Sequence, residues 1–200
     1  MIKLSIKLSD NTVGSLTQEQ KSLIIGTILG DGYLRIIPRR KNAFLEVNHS
    51  ANQKDYVDWK YEILKSIVKS GPKLRNGNGG RVACRFYTQC VPEITDLFTY
   101  FYKEKKKIIP ADLSIDEFSL AVWFMDDGSK SRNSIYLNTQ QFFESDQLVL
   151  QKLLFDKFGV KTTLNKDKIY KRIRVATGDA IKFCNLIREY IPESMQYKLV

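Results

Sequence analysis

An apolar segment that ends in Asp-Gly occurs twice in this 200-residue chain. The first copy spans residues 24–32 and the second spans residues 120–128. A helix-start signal precedes each copy, because Thr17 stands three residues before Gln20 and Ser114 three before Glu117, which is the spacing of a capping box. The repeat therefore predicts two apolar helices, over residues 17–31 and 114–127, that each deliver an aspartate at the C-terminal end.

The repeat continues beyond these two helices. Each copy is followed by a strand hairpin, a helix of 3.6-residue apolar period, a second hairpin and a closing helix. The middle helices are expected to end at Gly71 and Gly159, and the last hairpin to turn at residues 165–167. We therefore predict the order αββαββα twice, in half-domains spanning residues 1–110 and 111–200. A repeat of this length indicates a duplicated domain rather than a solenoid.

Composition narrows the class of protein. A hydrophobic content of 43% indicates a globular chain, and no run of about 18 apolar residues predicts a membrane span. The alternating N-terminus lacks the apolar core of a signal peptide. Three cysteines without CxxC spacing argue against structural zinc and favour a reducing compartment. The net charge of +10 favours a polyanionic partner, the alternative being a merely basic soluble protein.

The most specific sequence signals are Gly-Asp-Gly at 30–32, Trp-Phe-Met-Asp-Asp-Gly at 123–128, Leu-Asn-Thr-Gln at 137–140 and Tyr-Lys-Leu at 197–199. Through these signals the chain resembles the LAGLIDADG homing endonuclease family, and the resemblance extends from about Gly14 onward. It is to the branch of the family that has both motifs in one polypeptide. The resemblance implies an α+β fold of two pseudo-symmetric αββαββα half-domains. Their antiparallel saddle-shaped sheets would lie over DNA, with the two motif helices at the interface between them.

The two motif helices differ in the residues available for close packing. Gly26 and Gly30 form a small-xxx-small pair that lets another helix backbone approach closely, whereas Val122 and Asp126 occupy the matching places of the second helix. We therefore expect an asymmetric contact between the helices.

Asp31 and Asp127 align as the last acid before glycine, and both are predicted to be catalytic ligands of Mg²⁺ (or Mn²⁺). Hard oxygen ligands suit these ions, and a helix C-terminus adds partial negative charge that favours a cation. Gly30 and Asp126 are further candidate metal ligands, although for Asp126 a structural role is preferred. The alternative for either aspartate alone is a helix cap or a turn residue.

Other polar residues have candidate roles around the two aspartates. The resemblance places Lys107 and Lys198 in basic pockets beside the scissile phosphates, although Lys107 also belongs to a charge run that solvent alone would explain. Four strand-end residues are candidates for organising water, with an ordinary strand-end hydrogen bond as the equal alternative: Asn48, Ser50, Asn138 and Gln140. The one histidine, His49, is expected to be structural.

Basic side chains concentrate in the predicted hairpins of both halves. Strand ribbons fit the major groove, where Arg and Lys pair with guanine, while loop lysines contact phosphates. Arg172 and Arg174 are expected to share one face of their strand. The alternative for any single residue is a solvated surface charge. The predicted DNA-binding residues are Arg35, Arg39, Arg40, Lys41, Lys73, Arg75, Arg81, Arg85, Lys130, Arg132, Lys161, Lys166, Lys168, Lys171, Arg172 and Arg174.

Taken with the resemblance, these features predict a monomeric, Mg-dependent, site-specific endonuclease. It would cut both strands of a long asymmetric double-stranded DNA target, with one motif aspartate per strand. Two alternatives stay open, an RNA-splicing maturase that binds intron RNA and a non-catalytic DNA-binding regulator. No membrane or obligate protein partner is expected, and the compartment is an organelle or the prokaryotic cytoplasm.

Overall fold

The computed structural model describes residues 16–132 and 134–199, so the expectation about a signal peptide lies outside the described residues. The first half contains α1 (Gln18–Leu29), β1 (Tyr33–Ile36), β2 (Ala43–Ser50), α2 (Lys54–Leu64), β3 (Lys73–Asn76), β4 (Val82–Tyr87), α3 (Pro92–Phe101), β5 (Tyr102–Lys103) and β6 (Lys106–Lys107). The second half contains α4 (Glu117–Asp127), β7 (Gly128–Ser131), β8 (Ser134–Leu137), α5 (Glu144–Phe158), β9 (Thr162–Asp167), β10 (Tyr170–Val175) and α6 (Ala180–Ile187).

Two four-stranded antiparallel sheets have the same strand order, β1-β2-β4-β3 in one and β7-β8-β10-β9 in the other. The predicted α+β class with antiparallel sheets is therefore confirmed, and each half shows the predicted order of helices and strands. One element was not predicted. The basic segment 103–107, for which a solvated charge run was the alternative, forms the small hairpin β5-β6 with Tyr102. The domain boundary at residue 110 stays a prediction.

The two motif helices begin differently from one another. The capping box of α1 is confirmed, since Gln20 N donates to Thr17 Oγ1 and Thr17 N donates to Gln20 Oε1, both at 3.1 Å. The predicted box at Ser114 is wrong, because Asp116 caps α4 by accepting from Ser119 N at 2.7 Å. The Asp116 carboxylate has two oxygens and so makes a second contact that a serine cap could not make at the same time: its Oδ2 also accepts from Ser22 of α1 at 2.5 Å.

The first motif helix ends at Leu29, short of the predicted residue 31. Of three further predicted boundaries, two are wrong and one is confirmed. Helix α2 ends at Leu64 and continues only as a 3₁₀ turn through Ile67, so it does not reach Gly71. The last hairpin does not turn at residues 165–167, because β9 extends through Asp167 and the reversal uses Lys168, whose φ is +56°. Gly159 caps α5 as predicted, with a φ of +61° that glycine adopts without strain.

The motif helices α1 and α4 pack against one another in the centre of the fold. A Cβ atom built on Gly26 would lie 2.4 Å from Ser119 O and 2.7 Å from Val122 Cβ, and one on Gly30 would lie 2.3 Å from Asp126 Cβ. The expected asymmetric contact is therefore present, with glycines of α1 facing larger side chains of α4. Because α4 is apolar on nearly all sides, it is almost completely buried. No helix within the described residues is both long and apolar enough to cross a bilayer.

Candidate active site

Asp31 and Asp127 line one open cleft at the C-terminal ends of the two motif helices, as the sequence repeat predicts. Asp127 is the last residue of α4, and Asp31 follows Gly30, the residue that caps α1. We call this space the aspartate cleft. Its lining residues are Gly30, Asp31, Tyr33, Lys107, Asp127, Asn138, Gln140 and Gln141.

Burial and neighbouring carboxylates raise the pKa of both aspartates. Burial, followed by the charges of Asp31 and Asp126, raises the pKa of Asp127 to about 7. Burial and the charge of Asp126 also raise the pKa of Asp31. Placing carboxylates together at negative helix ends has an electrostatic cost that a bound cation would relieve. The charges of Lys107 and Lys198 oppose these shifts, yet both pKa values are raised, so the cleft has an excess of negative charge that suits a cation.

Lys107 and Lys198 occupy equivalent places beside the two motif ends. Lys107 Nζ donates to Gly30 O at 2.9 Å, and Lys198 Nζ donates to Met125 O at 2.5 Å and Gly128 O at 3.0 Å. Each lysine thus satisfies carbonyl groups that a helix C-terminus leaves without partners. Burial lowers the pKa of Lys107 to about 8 and also lowers that of Lys198, with the nearby aspartates opposing the effect.

Gln141 joins the two motif ends, and the sequence did not reveal it. Its Nε2 atom lies 3.1 Å from Asp127 Oδ2 and 3.3 Å from Gly30 O, while its Oε1 accepts from Lys107 Nζ at 3.3 Å. Strand β8 ends at Leu137, so strand alternation does not indicate which of the adjacent glutamines faces the aspartates. The amide of Gln140 instead donates to Asp167 at 2.7 Å, although Gln140 also lines the cleft.

The other predicted strand-end residues contact protein groups. Asn48 accepts from Arg85 Nε at 3.2 Å, and Asn138 accepts from Arg172 Nη1 at 3.1 Å. This asparagine–arginine pair recurs in both sheets and supports the equivalence of the two halves. Ser50 caps the 3₁₀ turn Ala51–Gln53 by accepting from Asn52 N at 3.4 Å.

Asp126 does not line the aspartate cleft, and its carboxylate belongs to a buried polar group. Both of its carboxylate oxygens accept from Lys60 Nζ, at 2.7 and 2.9 Å, and Oδ1 also accepts from the Tyr56 hydroxyl at 2.7 Å. The Lys60 and Asp126 side chains have no exposed surface. Such a carboxylate has little capacity left for a metal ion, which favours the structural role over the ligand role.

His49 lies between Asp126 and Asp31. Its Nδ1 is 3.7 Å from Asp31 Oδ2, its Nε2 is 3.7 Å from Asp126 Oδ1, and the side chain is 3% exposed. Burial and the charge of Lys60 lower the pKa of His49 to about 4, so the imidazole is neutral at pH 7. This histidine therefore lies beside Asp31, a position that its sequence context did not predict.

Most of the predicted DNA-binding side chains are exposed along the hairpins of both sheets, but several have protein partners. Arg35 and Arg85 both approach Glu46, at 2.8 and 3.5 Å. Arg172 and Arg174 alternate with the buried residues Ile173 and Val175, and so share the strand face opposite the core. Lys130 and Lys171 are also engaged, since Lys130 donates to Leu199 O at 2.7 Å and Lys171 to Glu144 at 2.6 Å.

The donor set of the aspartate cleft fits a hard divalent cation. Two carboxylates converge there, and oxygen atoms are the ligands that magnesium and manganese prefer. No group of three or more histidine, cysteine, aspartate or glutamate side chains able to hold a metal occurs among residues 16–132 and 134–199. Water and a bound phosphate would therefore have to complete the coordination, as is usual for magnesium.

Comparisons with known proteins agree with this geometry. The model of the LAGLIDADG DNA endonuclease family matches residues 21–183. The probable intron-encoded endonuclease 1 of Wickerhamomyces canadensis is 32% identical, and the match covers 93% of this chain and 86% of that protein. The cytochrome b mRNA maturase bI2 of Debaryomyces hansenii is 27% identical, covering 100% of this chain and 81% of the maturase.

A solved structure, the homing endonuclease I-WcaI bound to its DNA recognition sequence, superposes with a TM-score of 0.87 at 30% identity. The match covers 98% of this chain and 96% of that structure's chain. RecA proteins of Mycobacterium gastri and Mycolicibacterium flavescens also match, but this chain spans only about half of their length, 48% and 47%.

Proposed function

The chain belongs to the LAGLIDADG DNA endonuclease family, and we propose that it cleaves both strands of one long asymmetric DNA site, with one motif aspartate serving each strand. The convergence of Asp31 and Asp127 on one cleft carries this proposal. Each carboxylate comes from a different motif helix, so the duplicated chain supplies both halves of the site by itself. A monomer is therefore sufficient for the reaction.

Asp31 and Asp127 would hold Mg²⁺ or Mn²⁺ in this site. When bound, such an ion supplies an activated water and stabilises the charge that develops on the leaving oxygen. Gln141 fixes the Asp127 carboxylate by its 3.1 Å hydrogen bond. Lys107 and Lys198, held on the motif carbonyls, place positive charge beside the cleft, where it favours the negative charge of a phosphate in the transition state.

The two sheets supply the DNA contact in this proposal. Their hairpins present basic side chains in both halves, and arginines or lysines on strands suit guanine in the major groove. Because the contact residues differ between the halves, the preferred target is not a palindrome. The enzyme acts wherever that target resides, in an organelle or in the prokaryotic cytoplasm.

A cleavage selection tests this function. A randomised duplex library is incubated with Mg²⁺ and the wild type, Asp31→Asn, Asp127→Asn or Asp156→Asn. The last of these removes an exposed carboxylate of α5 that belongs to neither motif. We expect the wild type and Asp156→Asn to enrich the same long site and the two motif variants to enrich none. Absence of metal-dependent cleavage by the wild type would exclude the nuclease function.

A maturase activity is the second candidate, since the similarity to a cytochrome b mRNA maturase extends over the whole of this chain. The same variants distinguish the two functions. If the Asp31→Asn and Asp127→Asn proteins no longer cut DNA but still promote splicing of the host intron RNA, the chain carries both activities and splicing does not use the motif aspartates. Tight intron RNA binding by a wild type that does not cut DNA would favour the maturase alone.

A further inference from the structure

A buried polar cluster lies beneath the Asp31 side of the aspartate cleft. We define it as Tyr56 and Lys60 of α2, Asp126 of α4, and His49 of β2. It joins the two halves, since α2 and β2 belong to the first half and Asp126 belongs to the second. The second half has no equivalent among the described residues of α5, whose buried side chains are Gln147, Leu150, Leu153, Leu154 and Phe158, none of them charged.

The charged part of this cluster is rigidly held. Asp126 accepts three hydrogen bonds, two from Lys60 and one from Tyr56, and the Lys60, Asp126 and Tyr56 side chains are completely buried. Burying an ion pair away from water is costly, and replacing it with apolar residues is often neutral or stabilising. Stability alone therefore does not explain why this ion pair is present. The geometry offers another explanation, namely that the pair fixes a neighbouring group.

That neighbouring group is His49. Its ring packs edge-on against Tyr56, with centroids 5.3 Å apart, and its two nitrogens face Asp126 and Asp31 at 3.7 Å each. By contrast, the Asp31 side chain is 50% exposed and has no direct hydrogen bond to the cluster. A neutral imidazole has one N–H, and with the proton on Nδ1 a small rotation turns the 3.7 Å separation from Asp31 Oδ2 into a hydrogen bond that Nδ1–H donates. Such contacts commonly tighten when substrate binds.

We propose that His49 is a positioning residue for Asp31, and that the Lys60–Asp126–Tyr56 cluster holds the imidazole in place for this task. The inference rests on the proposed function, because positioning matters only if Asp31 serves one DNA strand. Asp127 receives its support from Gln141 instead. The two strands of the target should therefore depend on different residues, and losing His49 should slow cleavage of one strand selectively.

Nuclear magnetic resonance tests the contact without cleavage. Because the chain has one histidine, ¹⁵N-histidine labelling gives the signals of a single imidazole. We expect Asp31→Asn and Asp126→Asn to shift its nitrogen resonances, while Asp127→Asn and the exposed Asp156→Asn leave them unchanged. Unchanged imidazole signals in folded Asp31→Asn would overturn the proposal.

Strand-resolved cleavage tests the role. The target, selected as above, is labelled separately on each strand and cut by the wild type, His49→Ala and His49→Gln. Removing a group that orients a metal ligand typically costs about 10–100-fold in activity, so His49→Ala should slow one strand by that factor relative to the other. The amide of His49→Gln should restore part of the rate.

The outcomes separate the two proposals. Equal slowing of both strands by folded His49→Ala would reduce His49 to a structural residue and overturn the inference alone. Failure of the wild type to cut either strand in Mg²⁺ would overturn the proposed function and the strand-specific role with it. Thermal unfolding and metal-free DNA binding of each variant establish that the fold is intact.

Discussion

The Nζ atom of Lys60 lies 2.7 Å from Asp126 Oδ1, and neither side chain has any exposed surface. This pair connects α2 with the second motif helix, α4. Lys60→Met should lower the free energy of unfolding by about 3–5 kcal/mol, because it leaves the Asp126 carboxylate buried without its cation. Urea denaturation of the variant measures the loss.

A second substitution separates the lost pair from lost packing. In Lys60→Met/Asp126→Asn the uncompensated charge is gone and Tyr56 keeps an acceptor, so much of the stability should return. Lys54→Met, which removes an exposed lysine from the same helix, is the matched control and should change stability little. If the double variant is no more stable than Lys60→Met, charge burial does not explain the loss.

The close approach of α1 and α4 gives a steric prediction. Gly30→Ala would place a Cβ atom 2.3 Å from Asp126 Cβ, and Gly26→Ala would place one 2.4 Å from Ser119 O. Each should destabilise the protein by about 1–3 kcal/mol, the usual cost of overpacking a tight core. Gly178→Ala is the control, since no atom lies within 4 Å of its added Cβ. Equal melting temperatures for all three variants would contradict the packing shown by these helices.

The sequence allowed the architecture to be predicted because local signals repeat in it. Apolar helices ending in Asp-Gly, hairpin patterns and terminal glycines appear in both halves, so element order followed from pattern alone. The capping residue of α4 did not, because the sequence offers two candidates close together, the Ser114–Glu117 spacing and Asp116, and it is Asp116 that accepts from Ser119 N and from Ser22 of the other motif helix. The contact with Ser22, which distinguishes Asp116 from Ser114, joins residues 94 positions apart and leaves no signal in local spacing.

The residues of the candidate site also fall into two groups, those that the sequence predicted and those that it did not. Asp31 and Asp127 were predicted from their equivalent places in the repeat, and Lys107 and Lys198 from the family resemblance; the structure places all four at the ends of the motif helices. Gln141 and Lys60 were not singled out, and the position of His49 between Asp31 and Asp126 was not predicted, because these contacts have no counterpart in the described part of the other half. Lys60 in particular reads as an ordinary surface lysine of a helix until Asp126, 66 residues further along the chain, is seen to face it.

Adjacent glutamines offer a paired test of the aspartate cleft. Gln141→Ala removes the amide that contacts Asp127 and Gly30, and cleavage should slow by about 10–100-fold. Gln140→Ala removes an amide bonded to Asp167 of the last hairpin and should have a smaller effect on the rate of cleavage. Single-turnover cleavage with saturating enzyme measures both, so that differences in DNA affinity do not enter. A larger loss for Gln140→Ala would reverse the assignment of these two side chains.

The raised pKa of Asp127 predicts how stability without metal depends on pH. The pKa is about 7 in the folded chain against 3.8 for an unperturbed aspartate, so between these values the folded state binds more protons than the unfolded state. The free energy of unfolding contributed by this group therefore falls as pH rises from about 4 to 7 and is constant above that range. Asp127→Asn lacks the titration and should become the more stable protein by roughly 1–2 kcal/mol at pH 8, after allowance for solvent screening.

Urea denaturation in EDTA at several pH values from 5 to 8 measures this difference, with Asp156→Asn as the charge-matched control. The stability gap between Asp127→Asn and the wild type should widen with pH, while that of the control stays flat. Adding Mg²⁺ at pH 8 should stabilise the wild type more than Asp127→Asn, because the ion binds the deprotonated carboxylate of the folded state. A gap that does not change with pH would mean that Asp127 is already ionised near its ordinary pKa, and that the neighbouring lysines offset the repulsion from Asp31 and Asp126.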